Sequence, residues 1–426
     1  MHTALSTTLA PRLEAMEAWL AEAARGHCLP FYASADLRDS GAKAACVDLN
    51  LFPAGFNNLC ERSCQSAVEE VTCFLARRFD RVPHQRVLLV PEAHSRNLFY
   101  NAHLRSLRDI LTGAGLQVTI AALPAEDGVT PRELITQDGA HVPVEPVRRD
   151  DDLLVDAAGV PYDWILLNND LSAGVLPWLD GLRQRVIPPP CLGWHRRSKA
   201  QFFACYRGLV RAMARTLEFD PWLLDVDTEC ITECTFATEA GRARVAAAVG
   251  TVLERVRAKY AEYGITDTPH VFIKSDTGTY GMGIMVVQSP DEILTMNRKE
   301  RNKMAVGKGR RPIHAVLVQE AIPTRAVTHT FVSEPVVYMV GGAVVGTFIR
   351  ANAERTALDN LNARGMTFYR YCELTPPNQP AECVCGQTDQ QLYRTLARLS
   401  ALAAAYEFEH VCHDWQDMSQ DSAPAP

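Results

Sequence analysis

The sequence predicts a mixed α/β and α+β protein, in which a small parallel α/β domain precedes a larger α+β region. Between residues 86 and 167, short apolar runs typical of buried strands alternate with one helical pattern, which indicates a parallel sheet. After residue 270, β-branched runs follow one another closely around glycine-containing turns, as antiparallel strands do. The length of 426 residues allows two or three domains.

The first predicted unit, residues 1–80, combines helices with a polar segment. Residues 8–26 carry apolar side chains and Glu at helical spacing, which predicts an amphipathic helix, and helical patterning returns at 61–79. Between them, residues 27–60 hold two short apolar pieces among many Asn, Asp and Gly residues. Loops of that composition often carry function, so a substrate motif is expected here.

The second predicted unit, residues 81–190, is the small parallel α/β domain. Polar residues follow its last strand, which fits a sheet of this class. A proline-rich linker is predicted at its end. The predicted elements are a strand at 86–90, a helix at 98–115 closed by glycine, a strand at 118–123, an exposed acidic excursion at 124–161, a strand at 164–167 and the linker at 187–190.

The third predicted unit, residues 191–416, begins with helices at 199–217 and 239–263 and continues as strands. A strand is expected at 315–324, and two β-branched runs around a Gly-Gly turn predict a hairpin at 336–349. The tail, residues 417–426, is predicted to be disordered.

The segment 270–287 points to phosphate binding. An apolar run leads to Lys274, glycines punctuate the following loop, and residues 284–287 form a second apolar run. Glycines let backbone N–H groups approach phosphate oxygens closely, and the lysine adds a positive charge. Because the loop joins two strands instead of opening a helix, the pattern disfavours a P-loop and a nicotinamide-dependent oxidoreductase. A glycine-rich hairpin can also be a plain turn.

Polar residues at two later strand ends and in one loop extend this pattern. Gln319 and Glu320 end the predicted strand before a turn, and the hairpin delivers Arg350 and Asn352 at its far end. An Asn-rich loop at 359–362 follows. The order of these features resembles the ATP-grasp ligases, in which two α+β subdomains hold the nucleotide between them. The resemblance therefore implies an ATP-grasp-like two-subdomain fold for residues 191–416.

The same resemblance assigns roles to the phosphate-binding residues. Lys274 would contact the α- and β-phosphates, the glycine loop would close over the β- and γ-phosphates, and the strand end at 317–320 would bind adenine, with Glu320 near the ribose. Arg350 would neutralise charge on the transferring phosphoryl group and on a later oxyanion. Lys199, just before a helix, is a further candidate, with a solvated surface lysine as the alternative. The ATP-binding candidates are Lys199, Lys274, Gly278, Thr279, Tyr280, Gly281, Gly283, Gln319 and Glu320, and the catalytic candidates are Arg350 and Lys274.

Four long strings resemble one family more closely. They are VDLNLFPAGFNNL (47–59), VLLVPEAHSRNLFY (87–100), WILLNNDLS (164–172) and KSDTGTYGMGIM (274–285). Together they are similar to the proteobacterial glutamate–cysteine ligase family first described in an iron-oxidising bacterium. This resemblance implies an enzyme that joins the γ-carboxylate of glutamate to the amine of cysteine through a γ-glutamyl phosphate, with ATP converted to ADP.

Recognition of glutamate requires a cation for its carboxylate and an acceptor for its ammonium group. Carboxamides and a planar guanidinium suit this fork geometry, although each such residue alone is more often a turn former or a cap. A proton-accepting His94 is a weaker candidate. The substrate-binding candidates are Asp48, Asn50, Asn57, Asn58, Arg96, Asn97, Asn168, Asn169 and Asp170.

Magnesium is the expected partner of ATP, and it requires oxygen ligands. Here the sequence departs from the ATP-grasp pattern, because it has no clear Glu-x-Asn string near its end. Asp359, Asn360 and Asn362 are the candidate ligands instead, with Glu407, Glu409 or Asp414 completing the shell.

Composition limits the classes of partner. A net charge of −7 and a pI near 6.0 disfavour a nucleic-acid partner, and the basic segment 296–311 lacks aromatic residues for base stacking. That segment is expected to be a solvated connection, with attraction of ATP as the alternative. The thirteen cysteines are scattered, which favours reduced thiols, and no apolar run is long enough to span a membrane. A cytoplasmic enzyme acting on small molecules is expected.

Two other functions fit the same residues. A different ATP-grasp amino-acid ligase would keep every nucleotide residue and differ in the motifs before residue 190. A non-catalytic nucleotide sensor would bind ATP without forming a product. The sequence leaves the oligomeric state open.

Overall fold

The structure is a computed structural model of the chain, and it describes residues 4–79, 86–94, 96–124, 128, 130–277, 284–305, 313–370 and 388–412. The helices are α1 (Ala4–Leu9), α2 (Leu13–Ala23), α3 (Glu61–Arg78), α4 (Leu98–Gly113), α5 (Lys199–Leu217), α6 (Glu239–Glu262), α7 (Asp291–Leu294), α8 (Arg298–Met304) and α9 (Thr388–Val411). The strands are β1 (Tyr32–Asp39), β2 (Ala44–Asn50), β3 (Arg86–Pro91), β4 (Gln117–Ala122), β5 (Glu133–Ile135), β6 (His141–Pro143), β7 (Glu145–Pro146), β8 (Arg148–Asp150), β9 (Leu153–Val155), β10 (Trp164–Asn168), β11 (Arg185–Ile187), β12 (Thr228–Ile231), β13 (Val271–Ser275), β14 (Met285–Val287), β15 (Val316–Glu320), β16 (Val327–Thr328), β17 (Phe331–Val340), β18 (Ala343–Asn352) and β19 (Met366–Arg370).

Four of the predicted helices are confirmed, and they correspond to α3, α4, α5 and α6. The side chains of Asn97, Ser198 and Thr238 accept hydrogen bonds from amides in the first turns of α4, α5 and α6, which explains where these helices begin. The single helix predicted at 8–26 is wrong in one respect. A 3-10 turn at Ala10–Arg12 separates α1 from α2, because Pro11 has no N–H to donate.

A parallel sheet carries the second predicted unit. Its strand order is β11-β10-β3-β4-β7, and each neighbouring pair is parallel. The strands predicted at 86–90, 118–123 and 164–167 are confirmed as β3, β4 and β10. The predicted excursion contains β7 and two small antiparallel hairpins, β5–β6 and β8–β9. The predicted linker begins one residue too early, since Ile187 still belongs to β11.

An antiparallel sheet joins the two ends of the chain. Its order is β19-β18-β17-β1-β2, and β16 pairs with β17. The predicted hairpin is confirmed as β17–β18, with Gly341 and Gly342 both at positive φ in its turn. The strands β1, β2 and β19 were not predicted. One face of this sheet packs against α9, a helix that the sequence analysis also missed.

A second antiparallel sheet has the order β12-β15-β13-β14. It contains Lys274 on β13, and the predicted strands on both sides of the glycine loop are confirmed as β13 and β14. The helix α6 packs against β12, β13 and β15. The fold is therefore mixed α/β, with one parallel sheet and antiparallel sheets. The predicted boundaries at 80, 190 and 416 stay predictions, and the large antiparallel sheet links the first unit to the third.

One pair of cysteines differs from the expectation of reduced thiols. Cys191 and Cys412 form a disulfide, with their Cα atoms 6.0 Å apart, and eight other described cysteines are free. The expectation is wrong for this pair because the fold brings the end of α9 against residues far away in sequence. Among the described helices, none combines the length and the apolar character that a membrane crossing needs.

Candidate active site

A cavity of about 670 Å³ opens where the three larger sheets meet. The large antiparallel sheet contributes one face, the sheet of β13 contributes Lys274, and the carboxyl ends of β3 and β10 contribute a polar rim. Side chains alternate between the two faces of a strand. For this reason the cavity side of β1 consists of Ser34, Asp36 and Arg38, while the intervening residues face α9 and the core.

Four charged side chains form a cluster on this sheet, of which Arg38, Glu334 and Arg350 are buried and Asp36 is half-buried. The Nη1 atom of Arg350 donates to Asp36 Oδ2 at 2.8 Å and to Glu334 Oε1 at 2.9 Å. Arg38 Nε lies 2.5 Å from Glu334 Oε2. The cluster holds two positive and two negative charges, so its members compensate one another inside the protein.

Burial and neighbouring charge shift the ionisation of this cluster in opposite directions. Burial raises the pKa of Asp36 above its ordinary value, although the charge of Arg350 opposes the shift. Burial also disfavours the charged form of Glu334, but Arg38 and Arg350 outweigh it and lower the pKa of Glu334. Asp36 and Glu334 raise the pKa of Arg350 against the effect of burial. The two carboxyl groups bonded to Arg350 are therefore shifted in opposite directions from their ordinary pKa values.

Two lysines line another wall of the same cavity. Lys199 Nζ lies 2.5 Å from Asp48 Oδ1, and Lys274 Nζ donates to the carbonyl oxygen of Val47 at 3.2 Å. Asp276 connects their two elements, because its carboxylate accepts the Ala200 N–H at the start of α5 and its carbonyl accepts the Lys199 N–H. The sequence therefore positions both ammonium groups from one junction between β13 and α5.

The environment of Lys274 lowers the pKa of its ammonium group. The pKa of Lys274 is lowered to about 8, chiefly by burial and also by the charge of Lys199, while Asp48 opposes the shift. The pKa of Asp48 is lowered, because Lys199 and Lys274 outweigh the effect of burial. An anionic ligand beside Lys274 would favour the charged form of this lysine and raise its pKa.

The structure brings together some of the predicted ATP-binding residues and separates others. Lys199, Lys274 and Arg350 line the cavity. Gln319 and Glu320 are buried and do not line it. The five residues predicted in the glycine loop lie outside the described part of the chain, namely Gly278, Thr279, Tyr280, Gly281 and Gly283.

Glu320 forms a buried ion pair instead of facing the cavity. Its Oε2 atom accepts from Lys43 Nζ at 2.7 Å and from the Asp227 N–H at 3.2 Å. We expect Glu320→Ala to lower the free energy of unfolding by about 3–5 kcal/mol, because Lys43 would be left charged and unpaired in the interior. Urea unfolding measures this loss, and Glu229→Ala is the control, because Glu229 on β12 is only half-buried and pairs with Arg255 near the surface. A Glu320→Ala protein of normal stability would contradict the expectation.

Eight of the nine predicted substrate residues line the cavity. Asn169 does not, because its side chain donates to the carbonyl of Pro91 and accepts the Leu171 N–H. The eight are Asp48, Asn50, Asn57, Asn58, Arg96, Asn97, Asn168 and Asp170.

Several of these side chains have structural partners. Asn168 donates to Tyr32 and to the carbonyl of Pro53, and it accepts from Tyr100 and His103. Asn97 caps α4. In contrast, the carboxamides of Asn57 and Asn58 have no hydrogen-bond partner within the described part of the chain. These two carboxamides are therefore the ones best able to bind a ligand.

His103 supports this wall as a neutral imidazole. Its Nδ1 atom accepts the Phe56 N–H at 3.3 Å, which leaves the proton on Nε2, 3.0 Å from Asn168 Oδ1. Burial lowers the pKa of His103 to about 4, so the ring carries no charge near neutral pH. His103 therefore orders this wall of the cavity and does not exchange protons there.

Gly55 shapes the loop that carries Asn57 and Asn58. Its φ is +109°, and a Cβ atom here would lie 2.8 Å from the hydroxyl of Tyr338. We expect Gly55→Ala to displace this loop and raise the KM for the amino-acid substrate about tenfold, an effect of roughly 1.4 kcal/mol. The KM for the nucleotide should stay unchanged. Steady-state kinetics test this, with Gly26→Ala as the control. Gly26 also has a positive φ, but a Cβ atom there would contact nothing, and Gly26 does not line the cavity.

The predicted metal ligands are divided by the fold. Asn360 and Asn362 line the cavity, whereas the Asp359 carboxylate accepts hydrogen bonds from Thr356. Glu407 forms a buried pair with Arg197, and Glu409 lies 2.6 Å from His27, so neither completes a shell with the Asn loop. The described residues contain no group of three or more His, Cys, Asp or Glu side chains arranged to hold a metal. Asp414 lies outside the described residues.

Sequence reasoning missed the charged row on the large antiparallel sheet. The cavity is lined by three charged residues of this sheet, Asp36, Arg38 and Glu334, and by Tyr338, and none of them was a candidate. The sequence did contain a sign of strand β1, because Ser34, Asp36 and Arg38 are spaced two residues apart, which is the period of a strand. This sign was hard to recognise because charged residues are rare in buried strands.

Known proteins that are similar to this chain point to one enzyme family. A family model for glutamate-cysteine ligase matches residues 7–408. The chain is similar to a protein from Methylobacillus flagellatus KT named as a candidate gamma-glutamylcysteine synthetase, with 35% identity, a TM-score of 0.85, and coverage of 96% of this chain and 98% of that chain. D-alanyl-alanine synthetase A from Vibrio cholerae O1 biovar eltor is 12% identical, with a TM-score of 0.34 and coverage of 74% and 81%, a likeness too distant to support an argument. No curated protein sequence matches. Because the family model spans most of the chain, the chain belongs to the glutamate–cysteine ligase family.

Proposed function

We propose that this protein joins the γ-carboxylate of L-glutamate to the amine of L-cysteine in an ATP-dependent reaction that passes through γ-glutamyl phosphate. The products are γ-glutamylcysteine, ADP and phosphate. One observation carries the proposal: Lys274 and Arg350, distant in sequence, line a single cavity with the carboxamides of Asn57 and Asn58. Membership of the glutamate–cysteine ligase family supports the same reaction.

The nucleotide is proposed to bind with its phosphates beside Lys199 and Lys274. Both ammonium groups border the cavity, and a triphosphate needs several cations before a carboxylate can approach its γ-phosphorus. The residues of the glycine loop, Gly278 to Gly283, are proposed to cover the β- and γ-phosphates. The arrangement is proposed to be ATP-grasp-like, with the sheet of β13 and the large antiparallel sheet as the two sides of the nucleotide site.

Arg350 is proposed to stabilise the charge that develops during both chemical steps. In the first step, a γ-carboxylate oxygen of glutamate attacks the γ-phosphorus and ADP leaves. In the second step, the amine attacks the acyl carbon, an oxyanion forms, and phosphate leaves as the amide forms. A fixed guanidinium lowers the energy of both charged states because it needs no reorganisation at the moment of reaction.

The amino-acid substrates are proposed to bind between Asn57, Asn58 and the rim formed by Arg96 and Asn97. Asn57 and Asn58 can each donate and accept, and they have no partner among the described residues that they must first release. Asn168 and Asp170 are proposed to support this wall. The set of candidate glutamate ligands is therefore smaller than the nine residues that the sequence indicated.

Magnesium is proposed to enter with ATP as part of the substrate. The described residues do not form a metal site by themselves, since Asn360 Oδ1 already accepts the Asn362 N–H and Asp359 is bonded to Thr356. Magnesium commonly keeps waters and uses phosphate oxygens with one or two protein ligands. Asn360 and Asn362 remain the proposed contacts, and no chemical step is assigned to the metal.

Isotope transfer tests the proposed route. Purified protein would be mixed with ATP, magnesium, cysteine and glutamate carrying ¹⁸O in its γ-carboxylate, and the products would be analysed by mass. We expect γ-glutamylcysteine and phosphate containing one ¹⁸O atom, because the carboxylate oxygen stays on phosphorus. Unlabelled phosphate would exclude the acyl phosphate. ADP formation that is equal with and without the amino acids would overturn the ligase assignment.

A further inference from the structure

We infer that Asp36 is a catalytic residue that accepts a proton from the attacking amine in the second step. This inference rests on the proposed function, and it concerns a group that the sequence patterns did not indicate. Asp36 lines the cavity from β1, and its side chain retains 21% exposure, whereas that of Glu334 retains 4%. Of the two carboxylates bonded to Arg350, Asp36 is therefore the one more open to a substrate.

The position of Asp36 lies between the two proposed ends of the site. In the antiparallel register, Asp36 is opposite Asp48, which bonds to Lys199 on the nucleotide side. Its other contact is Arg350, bonded by Nη1 at 2.8 Å and by Nη2 at 3.4 Å. Directly opposed residues on antiparallel strands have Cβ atoms only about 5 Å apart. Asp36 thus occupies the short span between the phosphate-binding lysines and the guanidinium.

The guanidinium can bind an oxyanion without releasing Asp36. Asp36 and Glu334 bond to Nη1, and among the described residues Nη2 bonds only to Asp36, at 3.4 Å, which leaves its second N–H without a partner. An oxygen bound to this second N–H of Nη2 would lie beside the carboxylate of Asp36. An amine attacking the carbon that bears this oxygen then comes within reach of Asp36.

The proton balance of the step requires such a group. Cysteine has a protonated amine near neutral pH, and its ammonium group has no lone pair for attack. Transfer of one proton to Asp36 frees the lone pair, and the N–C bond forms as the carbonyl electrons move to oxygen. When the oxyanion collapses, the C–O bond to phosphate breaks with its electron pair. The second nitrogen proton leaves with the phosphate, and Asp36 returns its proton to water.

Burial and the charges around Asp36 make its carboxylate more basic than a solvent-exposed one. The titratable groups that interact with it are Arg350 from β18, Glu334 and Tyr338 from β17, Asp48 and Cys46 from β2, and Lys274 from β13. Arg38 from β1 pairs with Glu334. Burial raises the pKa of Asp36, and Glu334 and Asp48 add to the shift, while Arg350 opposes it. A more basic carboxylate accepts a proton from an amine more readily.

Comparing hydroxylamine with cysteine as the nucleophile tests whether Asp36 acts as a base or only holds Arg350 in place. Hydroxylamine is largely unprotonated at neutral pH, so it attacks an acyl phosphate without help from a base. We expect Asp36→Asn to reduce γ-glutamylcysteine formation about 100-fold at neutral pH, while γ-glutamyl hydroxamate formation stays within about threefold of the unaltered protein. The cysteine reaction of this variant should partly recover as the pH is raised, because more of the amine is then free.

Glu334→Gln is the matched control, because Glu334 bonds to the same Nη1 atom of Arg350. We expect it to reduce the hydroxylamine and cysteine reactions together. Asp36→Glu, which keeps a carboxylate, should retain more cysteine ligation than Asp36→Asn, and thermal unfolding of all variants monitors the fold. Parallel loss of both reactions in Asp36→Asn, or equal loss of cysteine ligation in Asp36→Asn and Asp36→Glu, would overturn the inference.

Two further outcomes have separate meanings. A raised KM for glutamate in the hydroxylamine reaction of Asp36→Asn would overturn the inference, because Asp36 would then hold the ammonium group of glutamate. If the unaltered protein forms neither hydroxamate nor γ-glutamylcysteine, the proposed function itself fails, and the inference fails with it.

Discussion

Arg350→Lys is expected to lower kcat for γ-glutamylcysteine formation about 100- to 1000-fold, which is the usual effect of removing one oxyanion donor. Lysine keeps the positive charge, so Asp36 and Glu334 stay partly compensated. Lysine lacks the planar fork of arginine, which bonds to Asp36 and Glu334 and leaves one N–H of Nη2 for a substrate oxygen. Initial rates of ADP and dipeptide formation at saturating substrates measure the effect.

A matched control separates catalysis from packing. Arg207→Lys changes another arginine bonded to a carboxylate, since Arg207 Nε lies 3.0 Å from Asp225, but Arg207 does not line the cavity. We expect normal kcat in that variant. Arg350→Ala should in addition lose about 3–5 kcal/mol of unfolding free energy, because it leaves Asp36 uncompensated and Glu334 paired with Arg38 alone. A normal kcat in a folded Arg350→Lys protein would contradict the proposed role.

ATP binding is expected to weaken as the pH rises above about 8, with Lys274 responsible. Burial lowers the pKa of Lys274 to about 8 in the ligand-free protein, so this lysine is charged below that pH and neutral above it. Phosphate oxygens favour the charged form, so the nucleotide raises the pKa on binding and a proton is taken up. The Kd for ATP should rise by up to about tenfold per pH unit in this window.

Titration calorimetry in two buffers with different ionisation enthalpies measures the proton uptake directly. We expect Lys274→Met to weaken ATP binding about 10- to 100-fold at neutral pH, the value of a hydrogen bond to a charged group, and to remove the pH dependence above pH 8. Lys299→Met, at an exposed lysine of the basic segment, should change neither quantity. Retention of the same pH dependence in Lys274→Met would assign it to another group.

The buried position of Lys274 also affects stability. A lysine whose pKa is lowered in the folded state binds fewer protons there than in the unfolded chain, so the folded state gains stability as the pH rises from about 8 towards the ordinary lysine pKa. Bound ATP opposes this gain in stability at high pH, because its phosphates favour the charged form of Lys274. Ligand-induced stabilisation should therefore be larger below pH 8 than above it.

Much of the fold could be predicted where the signal is local. Apolar runs, glycine turns and capping residues predicted the helices α3 to α6, the β17–β18 hairpin and the lysine-bearing strand β13. The strands β1 and β2 were missed because their cavity faces carry charged and polar side chains. A pattern that expects apolar residues at buried positions interprets such strands as loops.

The candidate site could be predicted in part. Lys199, Lys274 and Arg350 do line one cavity, as do most of the predicted substrate residues. Glu320 was expected near the ribose but pairs with Lys43, a residue 277 positions away. The partner of a buried carboxylate is chosen by the packing of separate elements, and neither residue carries a local mark of the other.

The sequence by itself determined the local chemistry of this protein: a lysine at the end of a buried strand, a glycine loop after it, an arginine on a hairpin and asparagines in turns. Only the tertiary structure decided which of these groups meet. It placed Asp36 on Arg350 across 314 positions by pairing β1 with β17, and so built the charged floor of the cavity. The physical reason is that periodicity and turn preference act over a few neighbouring residues, whereas charge compensation in the interior depends on strands that come together from opposite ends of the chain.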